Sequence, residues 1–285
     1  MSSITPVAES SVTARAWSVP AELPYWILRV GAALCFIGHG AFGFITKAAW
    51  LPYFAVVGIP EVWAWRLMPL VGAVDVTAGM MVLFAPRRFA LGYMTLWALW
   101  TALLRPLSGE PVFETIERAG NYGVPFALLV ISGWPRNLRG WFSSTPPAPV
   151  SHLLAADGRQ QLAVLQRALQ IATVLLLAGH GALGAISSKS LFATHYAAVG
   201  LPDGLTASIG WFELGLAAII AVRPFASVLL FACAWKLATE SLFIAAGAPV
   251  WELVERAGSF AAPLALALLM QRVAADEHEA PGNAT

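Results

Sequence analysis

Apolar residues fill long, nearly unbroken runs of this chain, and polar residues gather in short clusters between them. The runs lack the period-two alternation of a membrane barrel strand. A backbone crossing lipid must satisfy its own hydrogen bonds, so the pattern predicts helices. About 20 apolar residues cross ~30 Å of hydrocarbon. The runs place helices near 25–46, 67–85, 88–105 and 118–134, then near 162–187, 206–222, 225–246 and 256–271. The polar, proline-rich stretch 135–161 between the two sets reads as a linker. Residues 1–24 and 273–285 read as soluble tails, and 1–24 has no charged segment leading straight into an apolar one, so no cleaved signal is expected.

The two sets of helices repeat one another. FETIERAGNYGVP at 113–125 returns as WELVERAGSFAAP at 251–263, and GAVD at 72–75 returns as GWFE at 210–213, both at an offset of 138. GHGAFG at 38–43 returns as GHGALG at 179–184, offset 141, and VVGIP at 56–60 returns as AVGLP at 198–202, offset 142. Matches in one order, drifting by a few residues, indicate a duplication with small indels in a loop. Four helices per copy is an even number, so the copies run the same way through a membrane. The expected fold is all-α and integral to the membrane: two parallel-repeated bundles, 25–134 and 162–272, with eight transmembrane helices in all.

Composition supports that class. Hydrophobic residues make up 58% and charged residues 12% of the 285 positions, with a mean hydropathy of +0.70, where a soluble domain keeps about a quarter of its residues charged. A net charge of +1 with no basic run gives no sign of nucleic acid, so the lipid bilayer is the partner expected. Cys35 and Cys233 form no CxxC and do not match between copies, which argues against a thiol relay. Ten of the 17 Lys and Arg residues fall on the side of the termini and linker and six on the opposite side, with Lys236 inside a helix. The positive-inside rule then places both termini in the cytoplasm of a bacterial inner membrane. Trp50, Tyr53, Phe54, Trp63, Trp65, Phe192 and Tyr196, in the opposite loops, suit an aromatic belt.

Ionisable residues inside spanning helices are costly and usually mark a bundle interior or a pathway. His39 stands about seven residues, or ~10 Å, from the outer end of its helix, and Asp75 a similar distance into the next helix. They are expected to meet, as are His180 and Glu213 in the second copy. A carboxylate beside an imidazole fixes its tautomer and suits proton handling or ligand binding. Gly38, Gly40, Gly179 and Gly181 flank the histidines, either to let helices approach closely or to leave room for a planar ligand. Lys236 and Glu240 are an i,i+4 pair in the seventh helix, with Ala102 in Glu240's place in the first copy. Glu114/Arg118 and Glu252/Arg256 are i,i+4 pairs followed by Glu117 and Glu255. These groups form a candidate intramembrane polar site, or else salt bridges that close a helix pair. No HExxH, Cys/His cluster or phosphate loop appears, and no metal is assigned; a two-histidine, two-carboxylate set would need the halves to face each other.

LRVGAALCFIGHG (28–40), YFAVVGIP (53–60), GAVDVTAGMMVLFAP (72–86) and their second-copy counterparts resemble the DoxX/DoxD-like family of four-helix membrane proteins. The family pattern has an apolar helix ending in His-Gly, a Gly-Leu-Pro turn, and a Glu followed by glycines. Glu213 keeps that Glu and Asp75 replaces it. The family's lysine just beyond His-Gly is replaced by Gly43 and Gly184, with Lys47 and Lys189 further along. The resemblance implies a tandem pair of such units and a membrane-embedded redox subunit of an oxidoreductase, touching quinone and a redox partner protein. Three functions stand open at this point: a quinone-linked redox subunit using His39, Asp75, His180 and Glu213; a small-solute or proton-coupled carrier using Lys236, Glu240 and Glu213; and a non-catalytic assembly subunit.

Overall fold

The computed structural model describes residues 19–145, 151–155, 157–202 and 204–279. Of the expected tails 1–24 and 273–285, residues 1–18 (with Arg15) and 280–285 lie outside them, as do linker residues 146–150 and 156, while 273–279 continue the last helix. The described residues hold no strand and fourteen α-helices. These are α1 (Leu23–Phe44), α2 (Leu51–Val56), α3 (Glu61–Phe84), α4 (Arg88–Leu107), α5 (Phe113–Glu117), α6 (Ala119–Ser132) and α7 (Leu138–Phe142). They continue as α8 (Ser151–Leu154), α9 (Arg159–Ala185), α10 (Ser190–Ala197), α11 (Leu205–Val222), α12 (Ala226–Ala245), α13 (Trp251–Val254) and α14 (Ala257–Glu279).

Among the described residues six stretches are long and apolar enough to cross a membrane: α1, α3, α9, α11, α12, and Trp251–Asp276, which takes in α13 and most of α14. Eight were expected. Helix α6, apolar and 14 residues long, lies close to the expected 118–134 but is too short to count by itself, and Arg118 separates it from α5. Helix α4 has 20 residues, but Arg88, Arg105, Tyr93, Trp97 and Trp100 make it less apolar than those six.

Proline and glycine set the boundaries. Pro24 starts α1 in its first turn, where a missing N–H costs nothing. Gly58 (φ 75°) and Gly200 (φ 77°) take the left-handed conformation that ends α2 and the turn after α10, each followed within two residues by a proline. The short helices α2 and α10 fill the loop between the first two long helices of each set, so α3 begins at Glu61, earlier than the apolar run alone suggests. The linker begins tied to the bundle: Arg88 donates to the carbonyls of Ser132, Gly133 and Gly140, and Thr145 N–H to that of Pro86.

The halves are interleaved. Within each, the first long helix lies along the second, α1 on α3 and α9 on α11. Across them, α1 packs on α13 and α14, and α9 packs on α5 and α6. One hydrophobic core therefore mixes Leu28, Phe36, Met94 and Leu128 with Leu165, Leu176, Ile220 and Leu266. At its centre Gly120 of α6 and Gly258 of α14 touch backbone to backbone. A Cβ on Gly120 would lie 2.6 Å from the Gly258 carbonyl carbon, and one on Gly258 would lie 2.5 Å from that of Gly120.

We expect Gly120→Val to lower the thermal unfolding temperature of the purified protein, by the equivalent of about 1–3 kcal/mol for an overpacked contact. Gly215→Ala, on a helix face where nothing lies within 4 Å, should leave it unchanged or raise it.

Candidate functional site

Each histidine of the GHG motif meets the carboxylate of the neighbouring helix. His39 Nδ1 lies 2.7 Å from Asp75 Oδ2, and His180 Nδ1 lies 2.5 Å from Glu213 Oε2. Both acids are fully buried. The glycines explain the approach. A Cβ on Gly40 would sit 2.6 Å from the Gly72 carbonyl oxygen, and one on Gly43 2.6 Å from Gly72 Cα. In the second half Gly181 meets the carbonyl of Gly210 in the same way, at 2.7 Å. The other glycine of each motif faces the opposite half: Gly38 abuts the backbone of Glu255, and Gly179 that of Glu117, at 2.4 and 2.3 Å from an added Cβ. Gly38, Gly40, Gly179 and Gly181 thus all face backbone, and the room beside them is taken by helices.

Those cross-half contacts fall on a helix break. Arg118 ends α5 and caps α6, and Glu255 and Arg256 lie between α13 and α14. At the break, Arg118 Nη1 bonds the Glu114 carbonyl (2.9 Å), Glu114 Oε2 (2.7 Å) and Glu117 Oε2 (2.6 Å). Arg256 Nη1 repeats the set with the Glu252 carbonyl (2.7 Å), Glu252 Oε2 (2.6 Å) and Glu255 Oε1 (2.9 Å). A lysine from the other half completes each cluster: Lys189 donates to Glu114, and Lys47 to Glu252 at 2.6 Å.

Beyond this shared frame the halves differ. The first holds a cavity of about 430 Å³. Its apolar wall includes Trp50, Tyr53, Trp97 and Trp100, and His39, Lys47, Arg105, Arg118 and Glu255 line its polar side. His39 stacks on Trp50 with ring centroids 4.6 Å apart and keeps 26% of its side chain exposed, against 6% for His180. In the second half the corresponding space is filled by the chain itself. Ala98 is replaced by Lys236, Ala102 by Glu240, and Arg105 by Phe243. Lys236 Nζ lies 2.8 Å from Glu240 Oε1, an ion pair too poorly angled for a hydrogen bond, and both side chains are buried. Phe243 lies under the Arg256 guanidinium, 3.8 Å from ring centre to Cζ, with His195 edge-on to it.

The acids differ too. Glu213 reaches His180 with one oxygen and accepts from Trp235 Nε1 with the other, at 2.8 Å. Asp75 is one methylene shorter. Its Oδ1 and the Nε1 of Trp97, the counterpart of Trp235, are both buried without a hydrogen-bond partner.

The structure therefore joins His39 to Asp75 and His180 to Glu213, but does not bring the four together. Among the described residues no three His, Cys, Asp or Glu side chains converge as a metal site would require. Lys236, Glu240, Glu255 and Arg256 form one cluster, and Glu117 and Arg118 belong to another. Sequence reasoning missed Lys47 and Lys189, whose partners lie 205 and 75 residues away. It also assigned Trp50 and Tyr53 to the membrane interface, although the repeat offset of 142 aligns Tyr53 with His195 and Trp50 with Phe192. Comparison with family models, with curated proteins and with solved structures finds no match to this chain.

Trp235→Phe deletes a bond to a buried carboxylate and should destabilise the protein by about 1.5–3 kcal/mol. Trp97→Phe deletes an N–H that bonds nothing and should cost distinctly less. Thermal unfolding of the two variants side by side checks the difference.

Proposed function

We propose that this chain is a polytopic membrane protein that binds an amphiphile drawn from the bilayer, using the first of its two halves as the site and the second as a closed, buttressing copy. In this reading α4 and the α5–α6 pair join the six longer spans to give eight crossings in two parallel repeats. The arginine-rich side, with both termini, faces the cytoplasm of a bacterial inner membrane, and the cavity opens towards the outer half of the bilayer. One observation carries the proposal: an aromatic-walled cavity with His39, Lys47, Arg105 and Arg118 on its polar side, whose counterpart is filled by Lys236 and Phe243. Its volume lies in the range of small-molecule pockets, about 300–1,000 Å³, and its mixture of apolar wall and few polar groups is the usual composition. The polar side consists mostly of donors, so the ligand's head is a hydrogen-bond acceptor.

The His39–Asp75 pair favours a second, more specific version. An imidazole held by a buried carboxylate on a cavity wall is placed to exchange a proton with a ligand oxygen. A quinone would use such a group, and a quinone-linked subunit of an oxidoreductase is what the family resemblance implies. A carrier role draws less support, since Lys236 and Glu240 are buried in contact with one another.

The test is asymmetric. Ala98→Trp should fill the cavity and weaken binding of a short-chain ubiquinone analogue or another apolar ligand by about tenfold or more, corresponding to about 1.4 kcal/mol. Tryptophan fluorescence of the purified protein in nanodiscs reads the binding. His39→Ala should impair any linked quinone reduction, and His180→Ala should not once protein levels are matched. Full activity in both Ala98→Trp and His39→Ala would leave the assembly role as the better account.

A further inference from the structure

We propose that the head group seated in the first-half cavity is a carboxylate, docked on the free edge of Arg118, on the side where Glu240 pairs with Arg256 in the second half. The inference rests on the reading that the cavity takes a ligand, and narrows its head from an acceptor in general to an anion.

The argument compares two arginines that are counterparts in the repeat. Arg118 and Arg256 use the same nitrogen, Nη1, for the same three bonds: the carbonyl and carboxylate of the glutamate four residues back, and the carboxylate of the residue before. Arg256 has one more partner. Its Nε lies 3.1 Å from Glu240 Oε2, a carboxylate delivered from α12, as an ion pair whose angles fall short of a hydrogen bond. In α4 the same position is Ala102, and Arg118 Nε and Nη2 have no protein acceptor among the described residues. Arg118 lines the cavity. The second half thus supplies with its own chain what the first half leaves open to a ligand.

Geometry and charge agree. The Nε–Nη2 edge of a guanidinium presents two parallel N–H groups that match a carboxylate bidentately. The charged groups on the cavity wall are each paired, Lys47 with Glu252, Arg105 with Glu110 and Glu114, Arg118 with Glu114 and Glu117, and Glu255 with Arg256, so what remains for an anion is the unused edge of Arg118 with the neighbouring cations Lys47 and Arg105. Trp50, Trp97, Trp100 and Phe54 add apolar, ring-bearing lining to the same cavity. The ligand class that fits is an amphiphilic carboxylic acid, with an aryl or alkyl body among the rings and its carboxylate on Arg118.

A head-group series on one body tests this. Full-length protein in nanodiscs of zwitterionic lipid is titrated with 4-hexylbenzoate, 4-hexylbenzyl alcohol and 4-hexylbenzylamine, each corrected for partition into empty nanodiscs. Quenching of tryptophan fluorescence reports binding. The carboxylate should bind about tenfold or more tighter than the alcohol, the scale of a charge-assisted bond, and the amine weakest. Arg118→Lys keeps a cation for Glu114 and Glu117 but lacks the second edge, and should erase the preference for carboxylate over alcohol. Should that variant not fold, the double variant Ala98→Lys/Ala102→Glu installs the second half's ion pair beside Arg118 and should expel the benzoate. Equal binding of benzoate and alcohol, tightest binding of the amine, or a preference that survives in a folded variant of either kind overturns the carboxylate but leaves the cavity reading intact. Failure of all three probes to bind overturns both.

Discussion

The close contact of glycine with backbone at the two helix breaks is the constraint on which the rest of this structure depends. Gly38 lies against the backbone of Glu255, and Gly179 against that of Glu117. No residue with a side chain fits there, since an added Cβ would lie well inside contact distance of a main-chain nitrogen. Because these contacts run between halves, they bring the first helix of each half against the last helix of the other. They also lodge Arg118 and Arg256, with their glutamates, inside the bundle between the two halves. Lys47 and Lys189 then cross over to complete each cluster. Buried charge is tolerable only when paired and hydrogen-bonded, and here each arginine is fastened by one nitrogen to three oxygens.

The same frame permits divergence. With the packing carried by Gly40, Gly43, Gly72 and their counterparts, and the charge balance by the clusters at the breaks, α4 and α12 are free to differ. In α12, Lys236, Glu240 and Phe243 fill the space beside Arg256. In α4, two alanines and an arginine stand in their place and leave a cavity of about 430 Å³. The shortening of glutamate to Asp75 belongs with that change, because it frees one carboxylate oxygen and the indole N–H that would have met it. The first half forgoes internal contacts that the second half makes, which is the pattern expected where binding has displaced stability.

Much of this was legible in the chain. The apolar runs announce helices in a membrane, and the repeated GHG, Gly-x-Pro and ERAG elements announce two related halves. The meeting of His39 with Asp75 follows from their equal depth in consecutive helices. What sequence could not supply is how the halves interlock. Lys47 and Glu252 are 205 residues apart, and no local spacing relates them. The short helix α5 before Arg118 was equally hidden, since ERAG reads as an ordinary helical start at 118, and α6 indeed begins at Ala119. The glycines were recognised, yet whether they made room for a ligand or for a helix depended on which backbone lay opposite. The cavity lies elsewhere, where the repeat aligns Ala98 with Lys236, and that comparison of side-chain volumes was open to inspection from the start.

An experimental map of the protein purified gently in native lipid tests the central claim, that one half is a ligand site and the other its closed copy. The account predicts density for a bound molecule between Trp50, Trp97 and Arg118, and the side chains of Lys236, Glu240 and Phe243 filling the equivalent space in the second half. A collapsed first-half cavity with no bound molecule, or a ligand seated beside Arg256 instead, would contradict it.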